Sequence, residues 1–179
     1  MITEAQLADG TRACILPLQP QDRDAIREGY EGLSPESRNH RFLSSIPHLT
    51  EAMLDHLVDD VDGIDHVALA LVVFDDDRVG TPVGVARMIR YADSPTEADV
   101  AVTVLDEWQG RGVAGALLAE LVRERPVGVS RIVTAVAADN AASLHMLRRL
   151  GETTTTPAGV GRLDVVVELP PADYVALGR

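Results

Sequence analysis

The chain has 179 residues, of which 16 are basic and 28 acidic, and its formal net charge is −12. This length is typical of one domain that buries its own core, so we expect residues 1–179 to form a single domain. The acidic balance repels polyphosphate backbones and excludes nucleic acid as an expected partner, whereas a cationic amine would be attracted. No apolar run is long enough for a membrane span and no leader pattern opens the chain, so a cytoplasmic protein is expected. The histidines and the lone cysteine have no ligand spacing, so no metal site is expected.

The first half of the chain is predicted to alternate short helices with strands. Residues 1–10 are polar and aperiodic, and we expect them to form a loose terminus. Ser34 followed by Pro35 predicts a capped helix start, and Thr50 predicts another. The predicted elements, in order, are a strand over 13–16, a helix over 22–33, the two helices that begin at Ser34 and Thr50, and strands over 66–74 and 82–90. Because residues 67–74 are almost all apolar, we expect that strand to be covered on both faces, with residues 75–78 as the turn that follows it.

The second half reads as a strand, a glycine-rich turn and a helix, followed by a second strand and helix. Val100, Val102 and Val104 alternate with smaller or polar residues, which predicts a pleated strand. Apolar residues recur at helical spacing from Val113 onward. A further strand is predicted over 131–137, then a helix, and then a final hairpin that ends at two prolines.

The turn between the first strand and its helix has the chemistry of a phosphate site. The first N–H groups of a helix lack intrahelical partners and lie at the positive end of the helix dipole, so they bind phosphate. Gly110, Gly112 and the small residues at 114–116 would let a pyrophosphate approach the backbone, and Arg111 could add a positive charge. A strand-to-helix connection without a ligand remains the alternative.

Three kinds of phosphate loop are candidates. Residues 110–115 match the dinucleotide fingerprint G-x-G-x-x-G, with Asp139 downstream, but five residues separate the strand from the first glycine. A nucleoside-triphosphate loop needs Gly-Lys-Ser/Thr, which the sequence lacks. The remaining pattern, Gln109-x-x-Gly112-x-Ala114, resembles the coenzyme A loop of the GNAT superfamily of N-acetyltransferases. The later strand over 131–137 and the helix that ends in Leu-Gly resemble the next two elements of the same superfamily.

This resemblance implies a fold, a donor and a set of contacts. The fold would be α/β, or α+β by some schemes, with a mixed, mostly antiparallel sheet flanked by helices. The donor would be acetyl-CoA, held near Val104 and Leu105 by backbone N–H groups where the strand bulges and parts from its neighbour. Asn140 would hold the pantetheine arm, or it would only cap its helix. The residues that the resemblance assigns to the donor are Val104, Leu105, Gln109, Gly110, Arg111, Gly112, Val113, Ala114, Gly115, Asn140 and Ser143.

The catalytic groups are predicted from position. Asp99 occurs where many members of the superfamily have a glutamate, and Glu97 would share its face of the strand, so these carboxylates are the candidate general bases. Leu147 occupies the position where a tyrosine commonly protonates the leaving thiolate. Solvent could supply that proton, because a thiolate with a pKa near 8.5 is a good leaving group, and His145 is a weaker candidate.

The acceptor is the part of the reaction that the sequence specifies least. Residues 34–44 resemble a stretch of the bacterial protein lysine acetyltransferases that modify acyl-CoA synthetases, so a protein lysine is the leading acceptor. The alternatives are a small amine or an aminoglycoside as acceptor, or a regulatory module that binds coenzyme A without turnover. A monomer or a homodimer is expected, with the helices of residues 22–44 beside the acceptor entrance.

Overall fold

A computed structural model describes residues 2–44, 46–74 and 80–171, so the turn expected over 75–78 lies outside the described residues. Its centre is an eight-stranded sheet in the order β1-β2-β3-β4-β5-β6-β8-β7. The strands are β1 (Thr3–Gln6), β2 (Arg12–Pro17), β3 (His66–Phe74), β4 (Gly80–Tyr91), β5 (Ser94–Val104), β6 (Arg131–Ala137), β7 (Glu152–Pro157) and β8 (Arg162–Glu168). The helices are α1 (Arg23–Glu31), α2 (Pro35–Phe42), α3 (Glu51–Leu54), α4 (Val113–Arg123) and α5 (Ala141–Arg148). All neighbouring strands are antiparallel except β5 and β6, so the predicted mixed, mostly antiparallel sheet is confirmed.

The helix starts follow the predicted caps. Ser34 accepts a hydrogen bond from the Ser37 amide at the start of α2. Thr50 does the same for Met53 at the start of α3. Such caps satisfy amide groups that the first helical turn leaves without partners. The helix that Thr50 begins continues beyond α3 as one π-helical turn over residues 55–59.

The expected loose terminus is wrong. Residues 3–6 form β1, which pairs antiparallel with β2 from Thr3 opposite Ile15 to Gln6 opposite Arg12. The chain then buries Leu7, and the Ala8 amide donates a 3.0 Å hydrogen bond to the Arg111 carbonyl. The sequence pattern missed this strand because β1 is a sheet edge with no fully buried side chain, so its residues show little apolar alternation.

Two cores cover the two faces of the sheet. On one face α4 packs Leu117 and Leu121 against β4 and β5, where Met88 is fully buried. On the other face α1, α2 and the helical residues 51–59 cover β3, where Leu54 is fully buried. Each such side chain contributes roughly 1.5–3 kcal/mol through burial. Strand β3 is therefore covered on both sides, as its apolar run predicted.

Strands β5 and β6 separate soon after they meet. They are parallel and joined through α4, and their pairing is confined to Glu97 opposite Arg131 and Ala98 opposite Ile132. Beyond Ala98 the two strands diverge, while β6 pairs along its whole length with β8. The divergence leaves an opening in the sheet directly before the glycine-rich turn.

Candidate functional site

The opening between β5 and β6 continues into a cleft of about 920 Å³, the donor cleft. The cleft runs from the second half of β5 across the starts of α4 and α5, with α2 along one side. Its walls include nine of the residues assigned to the donor: Val104, Gln109, Gly110, Gly112, Val113, Ala114, Gly115, Asn140 and Ser143. The structure therefore brings together the two sequence segments, more than twenty residues apart, that indicated a donor site.

The glycine-rich turn presents unpaired amides to this cleft. Gly110 and Gly112 have φ of 74° and 90°, a region that favours glycine, and Gly112 is the N-cap of α4. The first intrahelical bond runs 3.0 Å from the Ala116 amide to the Gly112 carbonyl, which leaves the amides of residues 113–115 free of intrahelical partners. Val113 turns its side chain into the core, where it is 1% exposed. What remains at the surface is backbone, which suits an anion such as pyrophosphate.

Strand β5 presents backbone groups to the opening at alternate residues. The Leu105 amide donates a 3.0 Å bond to the Val83 carbonyl, so the backbone groups of odd-numbered residues point to β4 and those of Val100, Val102 and Val104 point to β6. The Val100 carbonyl accordingly accepts a 3.3 Å bond from Thr134.

This geometry corrects the assignment of Leu105. Its amide is already used, and the register of β4 and β5 is regular at Val104, so the expected bulge there is absent. The strands part after Ala98 instead. Val102, which was not among the predicted residues, presents its backbone groups to the opening as Val104 does, and counting two residues back from Val104 could have found it.

The position of Arg111 also differs from the prediction. Its guanidinium stacks on the Trp108 ring at 4.6 Å and lies 3.6 Å from Asp9, outside the residues that line the cleft. The arginines that line the cleft are Arg41, in the last turn of α2, and Arg149, next to α5. Positive charge in the cleft therefore comes from these two side chains and not from Arg111.

Asn140 acts as the cap of α5. Its Oδ1 atom accepts a 3.0 Å hydrogen bond from the Ser143 amide, and both residues line the cleft. The capping role is thus present, and a contact with the pantetheine arm stays a prediction.

Asp106 connects the glycine-rich turn to α2, and sequence reasoning missed it. Its carboxylate accepts hydrogen bonds from the Ser34 amide at 2.7 Å, from the Ser37 hydroxyl at 2.5 Å and from Gln109 Nε2 at 2.9 Å. Burial raises the pKa of Asp106, but these hydrogen bonds outweigh it and hold that pKa below its usual range. Asp106 therefore fixes Gln109 and the start of α2 relative to each other.

The two candidate bases have different surroundings. Glu97 forms a 3.0 Å ion pair with Arg131, which also bonds to Glu168. Asp99 lies on the sheet face covered by α2, near the positive charge of Arg41, but it is absent from the walls of the cavities described here. Asp99 is therefore the less constrained carboxylate of the two.

A second cavity, of about 530 Å³, lies on the α1 and α2 side of the sheet. It meets the donor cleft at Arg41 and Thr103, which line both. Its walls are mostly apolar and include Leu16, Ile26, Phe42, Leu49, Leu57 and Val83. The helices of residues 22–44 thus border this cavity, and their place beside an acceptor entrance stays a prediction.

A small gap of about 70 Å³ lies between β5 and β6, and Leu147 lines it. Leu147 is 5% exposed and carries no proton to donate. The two described tyrosines use their hydroxyls elsewhere, since Tyr30 donates to the Ile46 carbonyl and Tyr91 to the Val133 carbonyl. His145 lines the donor cleft and stays a candidate.

Metal-binding clusters and membrane-spanning helices are both absent from the described residues. Within residues 2–44, 46–74 and 80–171, no group of three or more His, Cys, Asp or Glu side chains could hold a metal ion. In the same part of the chain, no helix is both long and apolar enough to cross a membrane.

Comparisons with known proteins agree on one family. Residues 30–151 match the model of the acetyltransferase (GNAT) family. The chain is 32% identical over 171 residues to acetyltransferase Pat of Mycolicibacterium smegmatis, covering 95% of this chain and spanning 50% of that protein. It superposes on the GNAT domain of S. lividans PAT with a TM-score of 0.80 and 28% identity, over 94% of this chain and 97% of that one. The fold of yncA from Salmonella typhimurium, solved with acetyl-CoA, matches with a TM-score of 0.67 and 20% identity, over 89% of this chain and 95% of that one.

Proposed function

Because the chain belongs to the acetyltransferase (GNAT) family, we propose that it transfers the acetyl group of acetyl-CoA to a primary amine at the junction of the two cavities. The observation that carries this proposal is the single cleft that joins the opening between β5 and β6 to the glycine-rich start of α4. Members of this family use acetyl-CoA, and the cleft offers backbone donors at both ends of such a molecule.

The donor would lie along the cleft with its pyrophosphate at residues 110–115. The unpaired amides of α4 and the positive end of its dipole favour that anion. The pantetheine arm would follow β5 and form hydrogen bonds with the backbone of Val102 and Val104. These bonds would replace the ones that β6 does not make with this part of β5. The thioester would then lie near Arg41 and Thr103, where the second cavity begins.

Transfer requires a neutral amine. An ammonium with a pKa near 10.4 leaves fewer than about one molecule in a thousand neutral at pH 7, so removing its proton is part of the barrier. Asp99 would accept this proton through a water molecule, because its side chain does not line the cavities. The amine nitrogen then attacks the thioester carbon and the carbon–sulfur bond breaks. The nitrogen loses its second proton to solvent, and the thiolate takes a proton from solvent, which leaves the amide and the free thiol.

Two acceptor classes have support. A protein lysine is favoured by the resemblance of residues 34–44 to bacterial protein lysine acetyltransferases, and by the likeness of the whole chain to the GNAT domain of S. lividans PAT. A small amine is favoured by the second cavity, whose volume of about 530 Å³ would enclose a small molecule.

The test is the pH dependence of the rate in two matched variants. Asp99→Asn should lower the rate at neutral pH by about 10²–10⁴-fold, the usual contribution of a general base, and the rate should recover as rising pH supplies neutral amine. Glu97→Gln should have a smaller effect, because Glu97 is engaged with Arg131. Affinity for acetyl-CoA should change in neither variant. Wild-type rates in both variants and in the double variant would remove these carboxylates from the mechanism.

A further inference from the structure

The second cavity contains two guanidinium groups in largely apolar walls. Arg41 lines this cavity, the donor cleft and the small gap between β5 and β6, so it lies where all three meet. Arg87 lines the second cavity from the sheet and is 4% exposed. Burial lowers the pKa of Arg87 to about 9, and the nearby charge of Arg41 contributes to that shift. Arginine keeps its proton at neutral pH, so both side chains are cationic.

Neither arginine has an ion-pair partner in the described part of the chain. Arg87 Nη1 lies 2.7 Å from the Leu57 carbonyl oxygen and 3.2 Å from His66 Nε2. Burial, together with the charge of Arg87, lowers the pKa of His66 to about 4, so the imidazole is neutral at pH 7. Both partners of Arg87 are therefore uncharged. Arg41 stacks on the Phe42 ring at 4.6 Å and makes no hydrogen bond within the described residues. Burial lowers the pKa of Arg41 and the charge of Asp99 raises it, but the Arg41 and Asp99 side chains form no ion pair within 4.0 Å.

Two like charges without partners in an apolar cavity are unfavourable. Charges taken from water need a counter-charge and hydrogen bonds to compensate for lost hydration, and the fork of a guanidinium matches a carboxylate. Among the described residues that line this cavity, Asp22 is the one carboxylate, and its Oδ2 atom accepts a 2.8 Å bond from the Gln19 amide in the short helical turn before α1. No described carboxylate therefore lines the cavity beside Arg41 and Arg87.

We propose that Arg41 and Arg87 bind the carboxylate of the acceptor, and that this acceptor is an α-amino acid with an apolar side chain. This inference rests on the proposed acetyl transfer. The amine and carboxylate of an α-amino acid share one carbon, so a carboxylate on Arg41 places the amine beside the thioester at the junction of the cavities. The side chain would extend along the apolar wall formed by Ile26, Leu49 and Leu57.

A lysine side chain fits this position less well. Its ammonium has no carboxylate near it, so it would approach two positive charges with nothing to neutralise them. An α-amino acid brings one negative charge to the pair of guanidinium groups and one amine to the acetyl group. The charges of the cavity therefore distinguish the two acceptor classes that the proposed function leaves open.

Binding is tested first, without acetyl-CoA, so that the result does not depend on turnover. Calorimetric titration with 4-methylpentanoate, which has the carboxylate and apolar body of leucine but no amine, should show saturable binding to the wild type. Arg41→Gln should weaken it by about 10–100-fold, the usual worth of a hydrogen bond to a charged group, and Arg41→Lys should weaken it less. The matched control is Arg12→Gln, which removes the same charge at an exposed position on β2 and should bind as the wild type does. Equal binding by Arg41→Gln and Arg12→Gln, or no binding by the wild type, would overturn the proposal.

Acceptor choice is tested second, by following release of the coenzyme A thiol. Leucine, methionine and phenylalanine should be acetylated at least 10-fold faster than leucinamide and 3-methylbutylamine, and Arg41→Gln should remove most of this preference. Faster acetylation of leucinamide and 3-methylbutylamine, which lack a carboxylate, or of a lysine inside a peptide, would overturn the carboxylate site while leaving acetyl transfer intact. Carboxylate binding without acetylation of any amine would instead contradict the proposed function.

Discussion

Gly112 and Gly115 are three residues apart in the glycine-rich turn, yet substitutions at these positions should change stability in opposite directions. Gly112 has φ of 90°, and an alanine there must adopt a left-handed conformation that costs about 1–2 kcal/mol. Gly115 lies in the first turn of α4, and a Cβ atom added there meets no atom within 4 Å. Alanine is a better helix former than glycine by about 0.5–1 kcal/mol. The free energies of unfolding of Gly112→Ala and Gly115→Ala should therefore differ by about 1.5–3 kcal/mol.

The affinity for acetyl-CoA should depend on the free space beside Gly115 and not on the stability of the fold. Open space around Gly115 is the wall of the donor cleft, so Gly115→Leu would place its side chain where the pyrophosphate is proposed to lie. Loss of one charge-assisted hydrogen bond to a backbone amide weakens binding by about 10–100-fold. Gly115→Leu should therefore be a stably folded protein that binds acetyl-CoA poorly.

Urea unfolding and calorimetric titration with acetyl-CoA separate the two effects. Wild-type affinity in a folded Gly115→Leu protein would refute the placement of the pyrophosphate. A Gly112→Ala protein as stable as the wild type would refute the strained turn.

Three further predictions concern stability and the leaving group. Leu147→Ala should lose about 2–5 kcal/mol of stability, because Leu147 is 5% exposed, while the shape of the pH–rate profile stays that of the wild type; a missing basic limb would assign proton donation to this region. Gly151→Ala should be strongly destabilising, because its Cβ would lie 1.9 Å from the Glu168 carbonyl oxygen, and an unchanged urea midpoint would contradict the packing of β8 against this turn. The pKa of His66 is about 4 in the folded protein against about 6.5 unfolded, so its contribution is complete above pH 6.5 and is lost as pH falls towards 4. The wild type should then lose up to about 3 kcal/mol more than His66→Gln between pH 7 and pH 4, and parallel stability curves for the two proteins would contradict a buried, neutral imidazole.

The sequence predicted those elements whose signal is local. Alternation at Val100, Val102 and Val104 and the helical spacing after Val113 depend only on neighbouring residues, and both elements form as predicted. The caps at Ser34 and Thr50 are local in the same sense. These signals were enough to place the glycine-rich turn between a strand and a helix, which is the core of the candidate site.

Features that depend on distant partners were missed. The amide of Leu105 is used by Val83, and the direction of that bond follows from the pairing of β4 with β5, which one strand alone does not reveal. Arg111 is held by Trp108 and Asp9 instead of facing the cleft, because the first strand and the turn after it pack beside the glycine-rich turn.

The proximity of Arg41 and Arg87 also depends on contacts between residues that are distant in the sequence, so it could not be predicted. The two residues are 46 positions apart, one at the end of α2 and the other in the middle of β4. Only the packing of α2 on the sheet brings them into one cavity. A local charge pair could be recognised in the sequence, but within the described residues neither arginine has an ion-pair partner.

Acetyl transfer to an amine is tested most directly by mass spectrometry after incubation with isotopically labelled acetyl-CoA. The acceptor mixture would contain free amino acids, simple amines and lysine peptides, with Gly115→Leu as the matched control. We expect a labelled amide product that forms with the wild type and falls sharply with the control. Acetyl transfer would be contradicted if no acceptor gave a labelled product with the folded wild type saturated by acetyl-CoA.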